Sequence, residues 1–266
     1  MYMNIVKKIV VFDLDETLGY FTELGIFCDC LNRYYNNQEF SNKYFVEILD
    51  LYPEFIRPKI LHILKYLVEK KKRNKCYKVM VYTNNQGPKS WCKLITKYFD
   101  SKVGYKLFDK IIAAFEVNGE RVEMGRTSHN KSVDDLIKCT KLPKNIDICF
   151  IDDVNHPGMS EENVYYINVK PYHYRLTINQ LILRFLDSEL GQNIKNKSEF
   201  INIIEEEFKQ YHYRVHNKSN DEQDIDTIIG KKILEHIKQF FYENNNKTLK
   251  RGRRVRNRSL KVNKSI

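Results

Sequence analysis

The amino-acid sequence predicts an α/β fold, a parallel sheet with helices on both of its faces. Short apolar segments typical of buried strands alternate along the chain with longer segments of helical periodicity. The strand segments are largely apolar, as expected where helices cover both faces of a sheet. Alternation of this kind favours parallel pairing, because a crossover helix must return the chain before the next strand can pair.

The individual elements follow from the same patterns. Strands are predicted at residues 5–14, 77–82, 110–114, 147–151 and 164–169. Helices are predicted at residues 58–73, 88–99, from Ser132 onward, and at 176–187, 198–211 and 225–242. The sequence Val117-Asn118-Gly119-Glu120 is a hairpin-turn signal.

We expect one principal domain and smaller additions in the 266 residues. Residues 1–189 would form the α/β domain, in which the aromatic-rich segment 19–56 is a small helical lid or insertion. Residues 190–245 would form a helical appendage. Residues 246–266 would form a basic, disordered tail.

The net charge of +11 is concentrated in the tail. Residues 247–264 contain nine basic residues and no acid; they are Lys247, Lys250, Arg251, Arg253, Arg254, Arg256, Arg258, Lys261 and Lys264. Subtracting these nine from the 45 basic residues leaves 36 against 34 acidic ones. A solubilising extension, a nucleic-acid contact and a nuclear-import signal are all compatible with such a tail. No aromatic residue follows Tyr242, so base stacking by the tail itself is not supported.

Several classes of protein are disfavoured. No run of 18 apolar residues predicts a membrane span, and Asp13 and Asp15 interrupt the early apolar stretch that a secretory signal would need. The six cysteines are scattered, and the closest pair, Cys28 and Cys30, lacks zinc-ligand spacing. We expect an intracellular protein of the nucleus or cytoplasm, with no membrane partner. The high content of Asn, Lys and Ile is typical of an AT-rich genome, such as that of some viruses.

Polar residues stand where the predicted strands end. Asp13 and Asp15 follow the first strand, Thr83 follows the second, Lys131 precedes the helix before the fourth, and Asp152–Asp153 end the fourth. Ligand sites of parallel α/β sheets gather at the carboxyl ends of the strands. We therefore expect these groups to meet in one site.

The chemistry that such a site favours is phosphoryl transfer. Four converging carboxylates, Asp13, Asp15, Asp152 and Asp153, would repel one another without a cation, and Mg²⁺ prefers such oxygen ligands. With the metal and Lys131 holding the phosphate charge, one carboxylate can attack phosphorus. A second carboxylate can protonate the leaving oxygen and then activate water.

These residues resemble the four motifs of the haloacid dehalogenase-like (HAD) superfamily, over about residues 5–187. The resemblance implies a Rossmann-like HAD fold, with Asp13 as nucleophile and Asp15 as general acid/base. Thr83 and Lys131 would hold the transferred phosphoryl group. Asp13, the backbone carbonyl of Asp15 and Asp153, with Asp152 beside it, would hold Mg²⁺. An acid at the position of Asp15 favours a phosphatase over the ATPases and dehalogenases of the superfamily.

Within the superfamily, the run Asp13-Leu14-Asp15-Glu16-Thr17-Leu18 is similar to phosphatases of the RNA polymerase II C-terminal domain, the NLI-interacting-factor-like group. Arg57-Pro58 also resembles that group, which implies substrate binding by Arg57. The sequence departs from it in having Asn84–Asn85 after Thr83 and Ser132 after Lys131. Asn84 is a further candidate for substrate binding. Lys138 and Lys141 remain alternatives for the lysine.

The substrate is less defined than the chemistry. No large insertion lies between Thr83 and Lys131, so a lightly covered cleft would admit a macromolecule. We expect a phosphorylated protein, dephosphorylated at serine or threonine, with a polynucleotide-end or nucleotide phosphatase as the alternative. A nucleic-acid-binding or scaffold protein without turnover is the alternative of another class.

Overall fold

The computed structural model describes residues 6–143, 145–211 and 218–242, together with the backbone of residues 258–259. A sheet of five parallel strands, flanked by helices, confirms the predicted α/β class. The strands and a small hairpin are β1 (Lys7–Phe12), β2 (Lys78–Tyr82), β3 (Phe108–Ile112), β4 (Glu116–Val117), β5 (Glu120–Arg121), β6 (Ile146–Asp152) and β7 (Val164–Asn168). The backbone of β8 (Arg258–Ser259) adds a sixth, two-residue strand beside β7.

Helices occupy most of the remaining described chain. They are α1 (Thr22–Tyr34), α2 (Phe40–Lys43), α3 (Phe45–Asp50), α4 (Ile60–Lys72), α5 (Lys89–Val103), α6 (Val133–Thr140), α7 (Ile178–Leu186), α8 (Lys197–Gln210) and α9 (Asn220–Tyr242). Segment 19–56 is helical, as its aromatic spacing predicts. Helix α5 continues four residues beyond the predicted end, to Gly104, which adopts the left-handed conformation (φ 62°) that favours glycine at a helix end.

The order of the sheet, β3-β2-β1-β6-β7, places the first strand in the middle. From β1 the chain builds outward through β2 and β3, and then returns to the other side of β1 with β6. Phe12 pairs in register with Val81 of β2 and Ile151 of β6, so these three strands end at the same level. A crevice forms where a sheet reverses its building direction in this way, and it is the usual ligand site.

The chain divides into two compact units, whose boundaries differ from those expected from sequence. The first unit contains residues 1–18, 58–172 and 225–266, and the second contains residues 19–57 and 173–224. Helix α9 therefore belongs with the sheet. There Gly230 lies so close to Pro58 that a Cβ atom would come within 2.2 Å of the Pro58 carbonyl oxygen.

The second unit joins the expected lid to α7 and α8. Phe185 of α7 packs against Phe27 of α1 and Phe200 of α8, with ring centroids 5.5 Å apart in both pairs. The buried Tyr52 donates its hydroxyl to the Leu181 carbonyl at 2.7 Å. The residues that make these contacts lie far apart in the sequence. No local pattern therefore predicts that segments 19–56 and 173–224 share a core.

Two further expectations concern the ends of the chain and the membrane. Apart from residues 258–259, the expected disordered tail lies outside the described residues. Among the helices that the structure describes, none is both long and apolar enough to span a membrane.

Candidate active site

A buried lysine joins two carboxylates at the carboxyl end of the sheet. Lys131 Nζ donates to Asp13 Oδ1, and to Asp152 Oδ2 at 2.7 Å. Only 2% of Lys131, 7% of Asp13 and 1% of Asp152 is exposed to solvent. Asp13 follows β1 and Asp152 ends β6, the two strands on either side of the switch point, so the sheet itself aligns the two acids.

The loop that delivers Lys131 is fixed on both sides. Ser132 caps helix α6 by accepting a hydrogen bond from the Asp135 amide, which sets the start of the helix directly after the lysine. On the other side, a Cβ atom at Gly158 would come within 2.9 Å of the Lys131 carbonyl oxygen. Glycine permits this close approach of the turn that follows β6.

The second acid after β1 is held separately. Asp15 Oδ2 accepts a hydrogen bond from Asn85 Nδ2 at 2.7 Å. Glu16, the next residue, adopts a positive φ of 58°, which turns the chain sharply before Thr17. The turn thus separates the partners of the two acids, with Lys131 bound to Asp13 and Asn85 bound to Asp15.

Thr83 lies at the end of β2, as its position predicts, and is 1% exposed. Its Oγ1 accepts a hydrogen bond from the backbone N–H of Asn85 at 3.0 Å. Its hydroxyl proton is therefore available to an acceptor in the crevice.

Asp153 completes the acidic cluster. Its Oδ1 accepts a hydrogen bond from Thr17 Oγ1 at 2.9 Å, so the loop after β1 is tied to the end of β6. Asp152 Oδ1 accepts from the Val154 amide at 2.8 Å, which leaves its Oδ2 for Lys131.

His156 lies at the edge of the same cluster. The Lys131 amide donates to His156 Nδ1 at 3.4 Å, and His156 Nε2 lies 3.6 Å from Asp152 Oδ2. Burial, together with the charges of Lys131 and Arg126, lowers the pKa of His156 to about 4. At neutral pH the ring is therefore uncharged, and its proton lies on Nε2, facing Asp152.

Burial shifts the pKa values of the acids in the same direction. Desolvation raises the pKa of Asp13, although the charge of Lys131 opposes the shift. It also raises the pKa of Asp15 to about 6 and that of Asp152 to about 7. Burial lowers the pKa of Lys131, but the charges of Asp13 and Asp152 outweigh it, so its net shift is upward. The lysine stays protonated at neutral pH.

Three of the carboxylates fit a divalent cation. Oxygen atoms of Asp13, Asp152 and Asp153 all lie within 4.8 Å of one another. Hard carboxylate ligands of this kind suit Mg²⁺. The side chain of Asp15 is not part of this group and is bound to Asn85, so any ligand from Asp15 would be its backbone carbonyl.

The other predicted residues are found in different settings. Asn84 donates to the His129 carbonyl at 3.0 Å, away from the lysine bridge. Arg57 is 1% exposed and belongs to the second compact unit, so its role in substrate binding stays a prediction. Lys138 pairs with Asp135 and is largely exposed, and Lys141 is exposed after α6. Of the three candidate lysines, Lys131 alone contacts the acidic cluster in the described structure.

Two residues that organise the site were missed from the sequence. Asn85, noted there only as a departure from a family pattern, binds both Asp15 and Thr83. The fully buried Arg126 donates to the carbonyls of Thr83, Ala113 and His129 at 2.9–3.0 Å. A single arginine in a polar loop carries no sequence signal for such a role, because its partners are backbone atoms of three separate segments.

Comparison of the chain with the known protein families, with curated proteins and with solved structures found no match in any of the three.

Proposed function

We propose that this chain is a Mg²⁺-dependent phosphatase that hydrolyses phosphate monoesters through a phosphorylated Asp13, as its resemblance to the HAD superfamily implies. The observation that carries the proposal is the ammonium of Lys131, which Asp13 and Asp152 share at the switch point of the sheet. A buried cation beside a buried carboxylate provides both a nucleophile and the positive charge that a phosphoryl group requires.

In the first step, an oxygen of Asp13 attacks phosphorus and the bond from phosphorus to the leaving oxygen breaks. Lys131 already lies against Asp13 and would compensate the charge of the phosphoryl oxygens. The hydroxyl of Thr83, whose oxygen accepts from Asn85, would donate to one of those oxygens. The product is an acyl-phosphate on Asp13 and an alcohol.

Asp15 would move the protons of both steps. It protonates the leaving oxygen as the first bond breaks, and its carboxylate then takes a proton from the water that hydrolyses the acyl-phosphate. Inorganic phosphate leaves, and Asp13 and Asp15 return to their starting forms. Asn85 holds Asp15 apart from Lys131, which keeps the two acids in different environments.

The carboxylates of Asp13, Asp152 and Asp153 would hold Mg²⁺, together with the backbone carbonyl of Asp15. When bound, the metal would supply positive charge to the phosphoryl oxygens. The acidic cluster supports this assignment, because Lys131 offers one positive charge to the three acids Asp13, Asp152 and Asp153.

The proposed substrate is a phosphorylated protein, dephosphorylated at serine or threonine, on the strength of the resemblance at residues 13–18. Phosphopeptides, 3′- and 5′-phosphorylated oligonucleotides and nucleotides should be compared as substrates. Turnover of oligonucleotide ends or nucleotides in preference to phosphopeptides would favour the alternative substrates.

The direct test of the chemistry is Asp13→Asn with an aryl phosphate as substrate. We expect the loss of at least about a thousand-fold in kcat, because the amide is not a nucleophile. Asp134→Asn is the matched control, since Asp134 is an exposed acid in the first turn of α6 and lies outside the cluster. Its kcat should stay within about two-fold of the original.

Circular dichroism would establish that both variants fold. Trapping the intermediate with radiolabelled substrate and mapping the label to Asp13 would supply evidence independent of rate. Unchanged turnover in Asp13→Asn, or turnover that persists without divalent cations, would refute the proposal.

A further inference from the structure

The amino end of the sheet, opposite the candidate active site, carries a face of basic and aromatic side chains. We define this amino-end face by the residues that α4 and α9 bring together and the loop that follows α4, namely Tyr66, Lys70, Arg73, Lys75, Lys238 and Tyr242. All of them belong to the unit that contains the sheet.

The contacts within the face are between cations and rings. Lys70 Nζ lies 5.0 Å from the ring centroid of Tyr66 and 5.7 Å from that of Tyr242. Lys238 Nζ lies 5.9 Å from the Tyr66 ring. Helix α9 contacts α4 here through the rings of Tyr66 and Phe241, whose centroids lie 6.2 Å apart. It is also held against β1, because Lys8 donates to the Phe240 carbonyl at 2.6 Å.

The face extends to the first residues of β1 and β2. Lys7 Nζ lies 4.1 Å from the ring centroid of Tyr77, and Lys78 Nζ lies 5.4 Å from it. The Tyr77 amide donates to the Lys8 carbonyl at 2.7 Å, which joins this second group to the first through the backbone. Tyr77 is 41% exposed and Tyr242 is 69% exposed, so both rings are accessible.

Acids balance only part of the positive charge of this face, since Asp109 pairs with Lys78 and Glu235 interacts electrostatically with Lys238. In the part of the chain that the structure describes, Lys70, Arg73, Lys75 and Lys238 form no ion pair with a carboxylate. The nearby acids have other partners, since Glu69 pairs with Lys72 and Asp109 with Lys71 and Lys78. Burial and the neighbouring charges of Arg73 and Lys75 lower the pKa of Lys70, as expected where cations crowd together.

We propose that the amino-end face binds single-stranded nucleic acid. Cations beside accessible rings are what an unpaired strand requires, because its phosphates seek positive charge and its bases stack on aromatic side chains. An acidic peptide would use the cations and leave the rings without a role.

This site is separate from the candidate active site. Lys7 and Lys78 begin β1 and β2, whereas Asp13 and Thr83 follow the ends of the same strands. Five or six strand residues separate the two ends, which corresponds to roughly 20 Å. Binding at the face therefore does not depend on the proposed phosphatase chemistry.

The test is binding of a fluorescently labelled 20-nucleotide oligothymidylate, without terminal phosphates, to the full chain. The variant is the triple charge reversal Arg73→Glu, Lys75→Glu and Lys238→Glu, at three exposed positions. We expect its affinity to fall at least about ten-fold at moderate salt. The dependence of log K on log salt should become shallower by about two, since each phosphate contact on a single strand contributes roughly 0.7.

The matched control makes the same change in net charge elsewhere. Lys195→Glu, Lys197→Glu and Lys209→Glu alter three exposed lysines near or on α8, and we expect less than about a two-fold loss of affinity. Equal losses in the two triple variants, or no loss in either, would overturn the proposal. If the reversal destabilises the fold, the corresponding glutamine variants should give a smaller loss of the same kind.

The rings are tested separately. Tyr77→Leu and Tyr242→Leu should weaken binding of the single strand but not of a duplex of the same length. Equal effects on both nucleic acids would overturn the single-strand assignment. Tighter binding of poly-glutamate, or of vesicles rich in anionic lipid, with the same dependence on the face would assign it to another partner. Aryl phosphate turnover, measured in parallel, should be unchanged in the face variants.

Discussion

The two ends of the central sheet place their charged groups in opposite surroundings. At the carboxyl end, Lys131 is 2% exposed and is shared by two buried acids. At the amino end, Lys238 and Arg73 are exposed and lie near rings or other cations, without a carboxylate partner in the described structure. The same β-strands thus connect a buried cluster, in which Lys131 is paired with acids, to a surface where Arg73 and Lys238 are exposed to solvent.

This difference separates two uses of charge. A buried ion must be compensated within the protein, because its loss of hydration costs several kcal/mol. The charges at the carboxyl end are therefore coupled to one another and to the fold. The charges at the amino end remain hydrated, so they can be exchanged at little cost to stability, and they influence what the surface attracts.

The largest effect should follow from Lys131→Ala. Its removal leaves Asp13 and Asp152 buried without their shared cation, and we expect a loss of about 3 kcal/mol in the free energy of unfolding at neutral pH. Turnover of an aryl phosphate should fall at least about a thousand-fold. Chemical denaturation and steady-state kinetics would measure the two losses.

Lys138→Ala is the control for this experiment. Lys138 lies on the same helix-and-loop segment and pairs with Asp135, but its side chain is 57% exposed. Its removal should change stability by less than about 1 kcal/mol and turnover by less than about two-fold. If the two variants behave alike, burial does not distinguish the lysines and the comparison of the two ends fails.

Much of this arrangement could be predicted from the sequence. The strands that end at Asp13, Thr83 and Asp152 are marked by apolar runs, and parallel pairing forces such ends toward one edge. The signal is strong because it requires only that the strands pair in parallel, which the repeated alternation of strands and helices indicates.

The remainder depends on contacts that no local pattern encodes. Asn85 donates a hydrogen bond to Asp15. Arg126, in another loop, donates to backbone carbonyls such as that of Thr83. Helix α9 is bonded to β1 through Lys8 and lies against Pro58 at Gly230, whereas its amphipathic pattern is equally compatible with an appendage. The amino-end face could not be predicted from the sequence either, because its rings and cations come from separate elements, among them α4, β2 and α9.

The premise that burial makes a charge costly can also be tested at Glu23, in the second compact unit. Glu23 is 2% exposed, and its Oε1 lies 3.4 Å from Arg175 Nε, both in the second unit. Burial raises the pKa of Glu23 to about 8, despite the opposing charge of Arg175. Between the unfolded value of 4.5 and about 8, the folded protein holds a proton that the unfolded chain has released. Stability should therefore fall as pH rises through this window.

Glu23→Gln removes that dependence. The variant should match the original protein near pH 4.5 and be more stable above pH 8 by a few kcal/mol, since each pH unit of this window contributes at most about 1.4 kcal/mol. Thermal unfolding at a series of pH values would measure the difference between the two proteins. Glu47→Gln, at a surface acid of α3, should show no such crossover. A constant difference at every pH would mean that packing of the amide, and not ionisation of the acid, sets the effect.

The smallest effect should come from the amino end, and it is the counterpart of Lys131→Ala. The triple reversal Arg73→Glu, Lys75→Glu and Lys238→Glu replaces three exposed cations with acids. We expect the free energy of unfolding to change by less than about 1 kcal/mol, because the relief of like charges beside Lys70 is offset by the unfavourable placement of an acid at the C-terminal end of α4. Denaturation at low and high salt would show it, since screening should erase the difference. A loss comparable to that of Lys131→Ala would mean that these cations support the fold, and that the two ends use charge in the same way.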